Sequence, residues 1–262
     1  MADTYTHGHH ASVLRSHSWR TVENSAAHLL AHLHQGSRLL DVGCGPGTIT
    51  ADLAARVAPG EVIGIDQGSD VIAQAQHDFG TSASFLTGDV YALEFATDSF
   101  DIVHAHQVLQ HLTDPIAALR EMRRVAKPGG IVAARDSDYG MFVWAPDDPR
   151  LTRWLDIYHQ VAQRNDAEPD AGRYLKQWAH AAGFTDVTFT SSTWTFSCEE
   201  DRSFWGGMWA DRILQSAITT QAIDYGICDR AELEGISTAF REWTNNADGT
   251  FVVPHCEIIA IA

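Results

Sequence analysis

The chain has 262 residues and 45% apolar content, enough for one large α/β domain with a covering segment. A net charge of −16, with a pI near 5.1 and only two lysines (Lys127 and Lys176), repels phosphate backbones and disfavours a nucleic-acid substrate. Four cysteines lie far apart with no paired spacing, which argues against a zinc site or disulfide frame and for free thiols in a reducing compartment.

From the amino terminus, Tyr5 and a histidine cluster (His7, His9, His10) precede a helix predicted from about Ser18. There Val22, Ala26, Leu29, Leu30 and Leu33 recur at helical spacing. The histidines read as a disordered start, as metal ligands or as part of a cover. No signal peptide is apparent and no apolar run reaches membrane-spanning length, so a soluble cytoplasmic protein is expected. Arg38–Val42 is a short apolar run that reads as a buried strand. It breaks into Gly43, Gly45 and Gly47, after which Thr48–Ala55 opens a helix. Strand, glycine turn and helix make a nucleotide-binding corner. Glycine permits positive φ and close approach of a ligand, and the helix start offers free N–H groups. A dinucleotide fingerprint would need glycine at position 48, where Thr48 stands, so a nicotinamide cofactor is not expected.

Glu61–Asp66 is a second buried strand that ends in a carboxylate. An Asp at that place accepts two hydrogen bonds from ribose hydroxyls, while Ser69 and Asp70 supply caps for the following helix. Ala83–Thr87 is the third strand, with Gly88, Asp89 and Val90 at its end, and Ile102–His106 the fourth. Asp114 and Pro115 start a helix through Leu119, Met122 and Val125, and Gly130–Arg135 is the fifth strand. Helices are predicted over Pro149–Gln163 and Ala171–Ala182, the second stopped by Gly183. Thr185–Phe196 is the sixth strand. Two helices, over 199–222 and 229–247, separate it from a last strand, Phe251–Ile261. Trp205, Met208, Trp209 and Ile213 fall at helical spacing in the first of these, as core or as pocket lining.

The spacing Asp41-x-Gly43-x-Gly45-x-Gly47 resembles the first motif of class I S-adenosylmethionine-dependent methyltransferases. The run Leu93–Val103 (LEFATDSFDIV) resembles the ubiquinone/menaquinone-biosynthesis type. The likeness is strong over residues 36–136 and topological beyond. It implies a Rossmann-like, doubly wound α/β fold with a seven-stranded, mostly parallel sheet whose last strand is antiparallel. It implies a single domain over 1–262, with lid elements near 1–34, 140–170 and 197–248. It also implies S-adenosyl-L-methionine as cofactor, held at the corner by Asp41, Gly43, Cys44 and Gly45. Asp66 and Gln67 then meet the ribose, Asp89 faces the adenine amine, and the Val90 N–H meets a ring nitrogen. His106 and Gln107 fall beside the sulfonium, and Arg20, carried on the amino-terminal lid helix, pairs with the methionine carboxylate or is a surface charge. His111 matches a histidine widespread in the family, which assists substrate deprotonation in some relatives and only packs or caps in others. His111 and His106 are the catalytic candidates, with Asp136, Tyr139, His7 and His10 as further candidates for a base.

Methyl transfer from a sulfonium is an in-line displacement at carbon, so alignment contributes most. A base is needed only where the acceptor arrives protonated. No residue cluster has metal spacing, so the mechanism is expected to be metal-independent. The expected acceptor is a small molecule, with neither nucleic acid nor membrane insertion involved. The competing expectation is a module that binds or senses S-adenosylmethionine without chemistry, because no base stands out.

Overall fold

The structure, a computed structural model, describes residues 19–262; the expectations for Tyr5, His7, His9 and His10 lie outside them. Five parallel strands carry the framework: β1 (Leu39–Val42), β2 (Val62–Asp66), β3 (Ser84–Thr87), β4 (Phe100–His106) and β5 (Ala126–Ser137). They lie in the order β3-β2-β1-β4-β5, and β8 (Thr250–Ile261) follows antiparallel to β5. β7 (Val187–Phe196) pairs antiparallel along the whole of β8, so it runs in the same direction as β5. These are the seven expected strands.

An eighth, β6 (Val143–Ala145), was not expected. Three residues are too few for an alternation to register, and the strand exists because the first residues of β8 extend beyond β5 and need a partner. β5 also runs further than Gly130–Arg135 in both directions, so Asp136 and Ser137 belong to the strand.

The strand residues are apolar on both sides because helices cover both faces. Leu40 and Val42 face α4 (Pro115–Val125) and α6 (Leu175–Ala181), while Leu39 faces α2 (Thr48–Val57) and α3 (Ser69–Phe79). Gly183, at φ +98°, stops α6 as expected. A third apolar cluster lies over the β6–β8 end. It is built from α5 (Pro149–Arg164), α7 (Glu199–Gln215), α8 (Ala217–Asp224) and α9 (Arg230–Thr244), with Trp154 and Trp209 fully buried in it.

The single helix expected over 199–222 is broken at Ser216, which takes an extended conformation (φ −94°, ψ 175°) while its hydroxyl donates to the Arg212 carbonyl. The amino-terminal helix is likewise shorter than expected. A reciprocal Thr21–Asn24 cap opens α1 (Val22–Ser25), Ala26 breaks it, and a 3₁₀ helix continues over Ala27–His32. Arg20 therefore precedes the helix rather than riding on it. Among the described residues no helix is long and apolar enough to cross a membrane.

Candidate functional site

All five parallel strands end on one edge, and the strand order reverses beside β1, which is where open α/β sheets bind ligands. A cavity opens there. It is lined by the glycine corner, by Asp66, Gln67, Asp89 and Val90 from the ends of β2 and β3, and by His106, Gln107 and His111 from the end of β4. Arg20 reaches it from the amino-terminal segment, and Asp41 and Cys44 complete the corner. Every proposed cofactor and catalytic position thus faces one space.

Gly43, Gly45 and Gly47 all have positive φ (+66°, +54° and +85°). A Cβ on Gly43 would stand 2.3 Å from Val108 Cγ2, so the turn is pressed against the β4 end with no room for a side chain. Gly47 then serves as N-cap of α2 without a side-chain cap bond, and Thr48 and Ile49 of the first turn line the cavity.

Asp41 is buried and bonded within the protein. Its Oδ2 accepts from Thr50 Oγ1 at 2.5 Å and its Oδ1 accepts from His104 Nδ1 at 2.7 Å, tying β1 to α2 and β4. Burial, with Asp41 and Asp66 close by, pushes the Cys44 thiol well above its usual range, so Cys44 is an inert neutral side chain. All four cysteines are free.

Asp66 accepts from the Gly45 N–H at 3.1 Å and the Gly68 N–H at 2.9 Å. These bonds fix the carboxylate between the corner and α3 while each oxygen keeps a second lone pair. The expected caps at Ser69 and Asp70 are not made: Gly68 is the N-cap, and Asp66 itself bonds its N–H. Asp89 is exposed and fixed by the Tyr91 N–H at 2.9 Å.

Gln107 takes a left-handed backbone (φ +54°), costly for a side-chain residue, and its neighbours hold it there. Its N–H donates to the Arg135 carbonyl at 2.7 Å. Its Oε1 accepts from Arg20 Nη2, and its Nε2 donates to His255 Nε2 at 2.8 Å. Because His255 Nδ1 donates to the Val253 carbonyl, Nε2 is free to accept, which defines a neutral tautomer. Burial, reinforced by Arg135 and Arg20, holds His255 far below the usual imidazole range.

His106 is 5% exposed, and neither ring nitrogen has a hydrogen-bond partner among the described residues. Burial, then Arg20, Arg135, His255 and His104, keep it neutral. His111 is brought down to about 3 by burial and Arg20, and its Nε2 accepts from Gln110. Asp136, a candidate base by position, is fully buried. Burial raises it to about 7, and it bonds the Gln110 N–H, so it braces the turn after β4 and is not part of the lining. Tyr139 does line the cavity.

Sequence reasoning missed the far wall: Phe142, Trp194 and Arg212 line the cavity beside Trp205 and Trp209. Arg212 carried a readable signal. Trp205, Trp209 and Arg212 follow at i, i+4, i+7, so the period puts an arginine on the buried stripe of α7.

The methyltransferase domain family matches residues 33–223, well over half of the sequence. The chain belongs to that methyltransferase family. An uncharacterized methyltransferase of Schizosaccharomyces pombe is 32% identical over 97% of this chain and 95% of its own length. A demethylmenaquinone methyltransferase of Roseiflexus castenholzii is 33% identical over 65% of this chain and 76% of its own.

Among solved structures, the YcgJ protein of Bacillus subtilis superposes with a TM-score of 0.56 at 21% identity, covering 91% of this chain and 98% of that one. A Haemonchus contortus phosphoethanolamine N-methyltransferase crystallised with S-adenosylhomocysteine gives 0.56 at 16%, covering 90% of this chain and 51% of that one. Both share the fold of this methyltransferase. S-adenosylmethionine is its cofactor, and the donor set fits it. The site offers two carboxylates for hydroxyls and an amine, a helix start for a carboxylate, and a glycine turn with no side chain in the way.

Proposed function

We propose that this methyltransferase transfers a methyl group to a small-molecule acceptor without a metal, with the cofactor across the carboxyl edge of the sheet. One observation carries this reading: Asp66 and Asp89, from the ends of neighbouring strands, line the same cavity as the glycine corner. When bound, S-adenosylmethionine supplies an activated methyl on a sulfonium that is already a good leaving group.

The chain's own residues do the rest. Asp66, with Gln67 beside it, accepts from ribose hydroxyls; Asp89 accepts from the adenine amine while the Val90 N–H donates to the ring. Gly43, Cys44 and Gly45 give the methionine end backbone to lie against, with Asp41 bracing them from behind. Arg20 and the start of α2 face its carboxylate. Gln107 and His106 flank the reacting centre, where His106, neutral and without another partner among the described residues, accepts a hydrogen bond from a protonated acceptor. His111 is a second neutral acceptor on the same wall.

The described part of the amino-terminal segment, 19–34, with the segments near 140–170 and 197–248, forms the lid of a single methyltransferase domain, which shuts out water and positions the acceptor. The name of the Roseiflexus relative supports a small acceptor, and the net charge of −16 supports one other than nucleic acid. Both fit a cytoplasmic enzyme.

Calorimetry with S-adenosylmethionine, followed by assay of S-adenosylhomocysteine release over a panel of small phenols, enols, amines and acids, tests this. Binding and turnover that persist in excess chelator are expected. Failure to bind S-adenosylmethionine, or turnover abolished by the chelator, would overturn it.

A further inference from the structure

His255 lies outside the cavity lining and is 0% exposed, yet it is one hydrogen bond away from a residue that lines it. Three side chains follow one another there: the His255 imidazole, the Gln107 amide and the Arg20 guanidinium. Their donors and acceptors fit in one sense only. His255 Nδ1 stands 3.0 Å from the Val253 carbonyl, which can only accept, so the proton sits on Nδ1 and Nε2 is left as an acceptor. Nε2 lies 2.8 Å from the Gln107 amide and accepts from its NH2, which turns Oε1 toward Arg20. Half a turn of the amide would set its NH2 against a guanidinium and its oxygen against the imidazole lone pair. His255 thus fixes the orientation of Gln107 from behind.

The frame around these three groups is stiff. The left-handed backbone of Gln107 (φ +54°) is held by its N–H bond to the Arg135 carbonyl at 2.7 Å. His255 packs against Trp194 at 4.3 Å, and the Arg20 guanidinium carbon lies 5.7 Å from the same ring. Trp194 Nε1 donates to the Asn24 carbonyl at 2.5 Å, and Trp19 meets Trp194 edge-on at 5.2 Å. The chain on either side of Arg20 is therefore tied to the ring that packs on His255. Burial, with Arg135 and Arg20, keeps this imidazole neutral, which is the state the bonds require.

Arg20 and Gln107 both stand in the cavity lining. A guanidinium is a rigid planar fork, so an acceptor on one of its nitrogens sets the plane of the whole group. That plane decides whether a carboxylate is met squarely.

We infer that His255 is a positioning residue for the cofactor: through Gln107 it sets the Arg20 guanidinium that meets the methionine carboxylate. This rests on the cofactor placement proposed above.

Two nucleosides isolate the contact. S-adenosylhomocysteine and 5′-methylthioadenosine share adenine, ribose and a thioether, and only the first carries the amino-acid tail. Both are titrated by calorimetry into the wild type, Arg20→Gln, His255→Leu and His255→Gln. His255→Leu should weaken S-adenosylhomocysteine at least about fivefold and leave methylthioadenosine within about twofold. A packing defect alone would weaken both. His255→Gln, whose Oε1 can replace Nε2 as the acceptor, should bind S-adenosylhomocysteine more tightly than His255→Leu. Adding His255→Leu to Arg20→Gln should cost no further affinity, because the two act along one path. If His255→Leu does not fold, Gln107→Met breaks the same link from the other side and should likewise weaken only S-adenosylhomocysteine. Equal weakening of both nucleosides overturns the proposal. So does unchanged S-adenosylhomocysteine affinity in His255→Leu, no advantage of His255→Gln over it, or a further loss in the double variant. Failure of the wild type to bind S-adenosylhomocysteine, or an Arg20→Gln variant that binds it normally, sinks the cofactor placement as well. A loss in Arg20→Gln that His255→Leu does not share sinks only the role of His255.

Discussion

A carboxylate at the end of the second strand can serve the fold, the ligand or both, and Asp66 shows how the two are separated. It spends one lone pair of each oxygen on the Gly45 and Gly68 N–H groups, which leaves the other open at the cavity wall. Asp66→Ala should weaken S-adenosylmethionine binding at least about tenfold, or ~1.4 kcal/mol, since a charged acceptor for a diol is lost. Asp66→Asn should fall between, because it keeps one carbonyl oxygen as an acceptor but loses the charge and sets an NH2 against one of the two backbone N–H groups. Calorimetry on folded variants checks both, and unchanged affinity in Asp66→Ala would remove Asp66 from the ribose site. Asp66 and Asp89 were legible because they end short apolar runs, where the pattern changes abruptly. Asp41 was legible as a position but not as a role: nothing in the local sequence says that Thr50 and His104 take up its carboxylate. Arg212 was legible only in principle. A charged residue on an apolar helical stripe is a signal, but aromatic neighbours at the same spacing read as ordinary core.

At the scale of elements, the glycine corner is a contact between two strand ends rather than a flexible loop. Gly43 has both reasons to be glycine, a positive φ and a neighbour too close for a Cβ. Gly43→Ala should destabilise the protein by about 2 kcal/mol or more through the backbone and the clash together. It should also lower S-adenosylmethionine affinity by pushing Val108 and the adjoining Gln107 out of place. Adding Val108→Ala should recover the clash portion but not the backbone portion, so the melting temperature should return only part of the way. Full recovery would show that φ costs nothing at this turn. Strands and helices with a sustained period, from β1 through α4, were read from the sequence close to their true ends. What escaped notice depends on a partner elsewhere in the chain. β6 exists because the start of β8 lacks a neighbour on its β5 side, and the break at Ser216 has no proline or glycine to announce it.

Across the whole molecule, the most consequential feature is the number of imidazoles buried as neutral groups. His28 and His111 are lowered to about 3, and His106 and His255 lie well below their usual value, each chiefly through burial. In the unfolded chain these same side chains titrate near ~6.5. As pH falls below that value the unfolded state takes up protons that the folded state refuses, so stability is present above about pH 6.5 and is lost on acidification. The loss approaches ~1.4 kcal/mol per histidine for each further pH unit. Asp136 works the other way. Burial raises it to about 7, so the folded state binds a proton that the unfolded chain releases, and its contribution grows as pH falls through 7. Four such histidines outnumber the one such carboxyl, so the expected change from about pH 7.5 to about 5.5 is a net loss of stability. Urea unfolding over that range should show the midpoint falling steadily. His28→Gln, which removes one imidazole outside the cavity lining, should flatten the slope by about one proton. A midpoint that holds level or rises toward pH 5.5 would mean that the histidines titrate in the folded protein. The interior beside the cavity would then be wet and polar, with imidazoles that take up protons in place rather than only on unfolding.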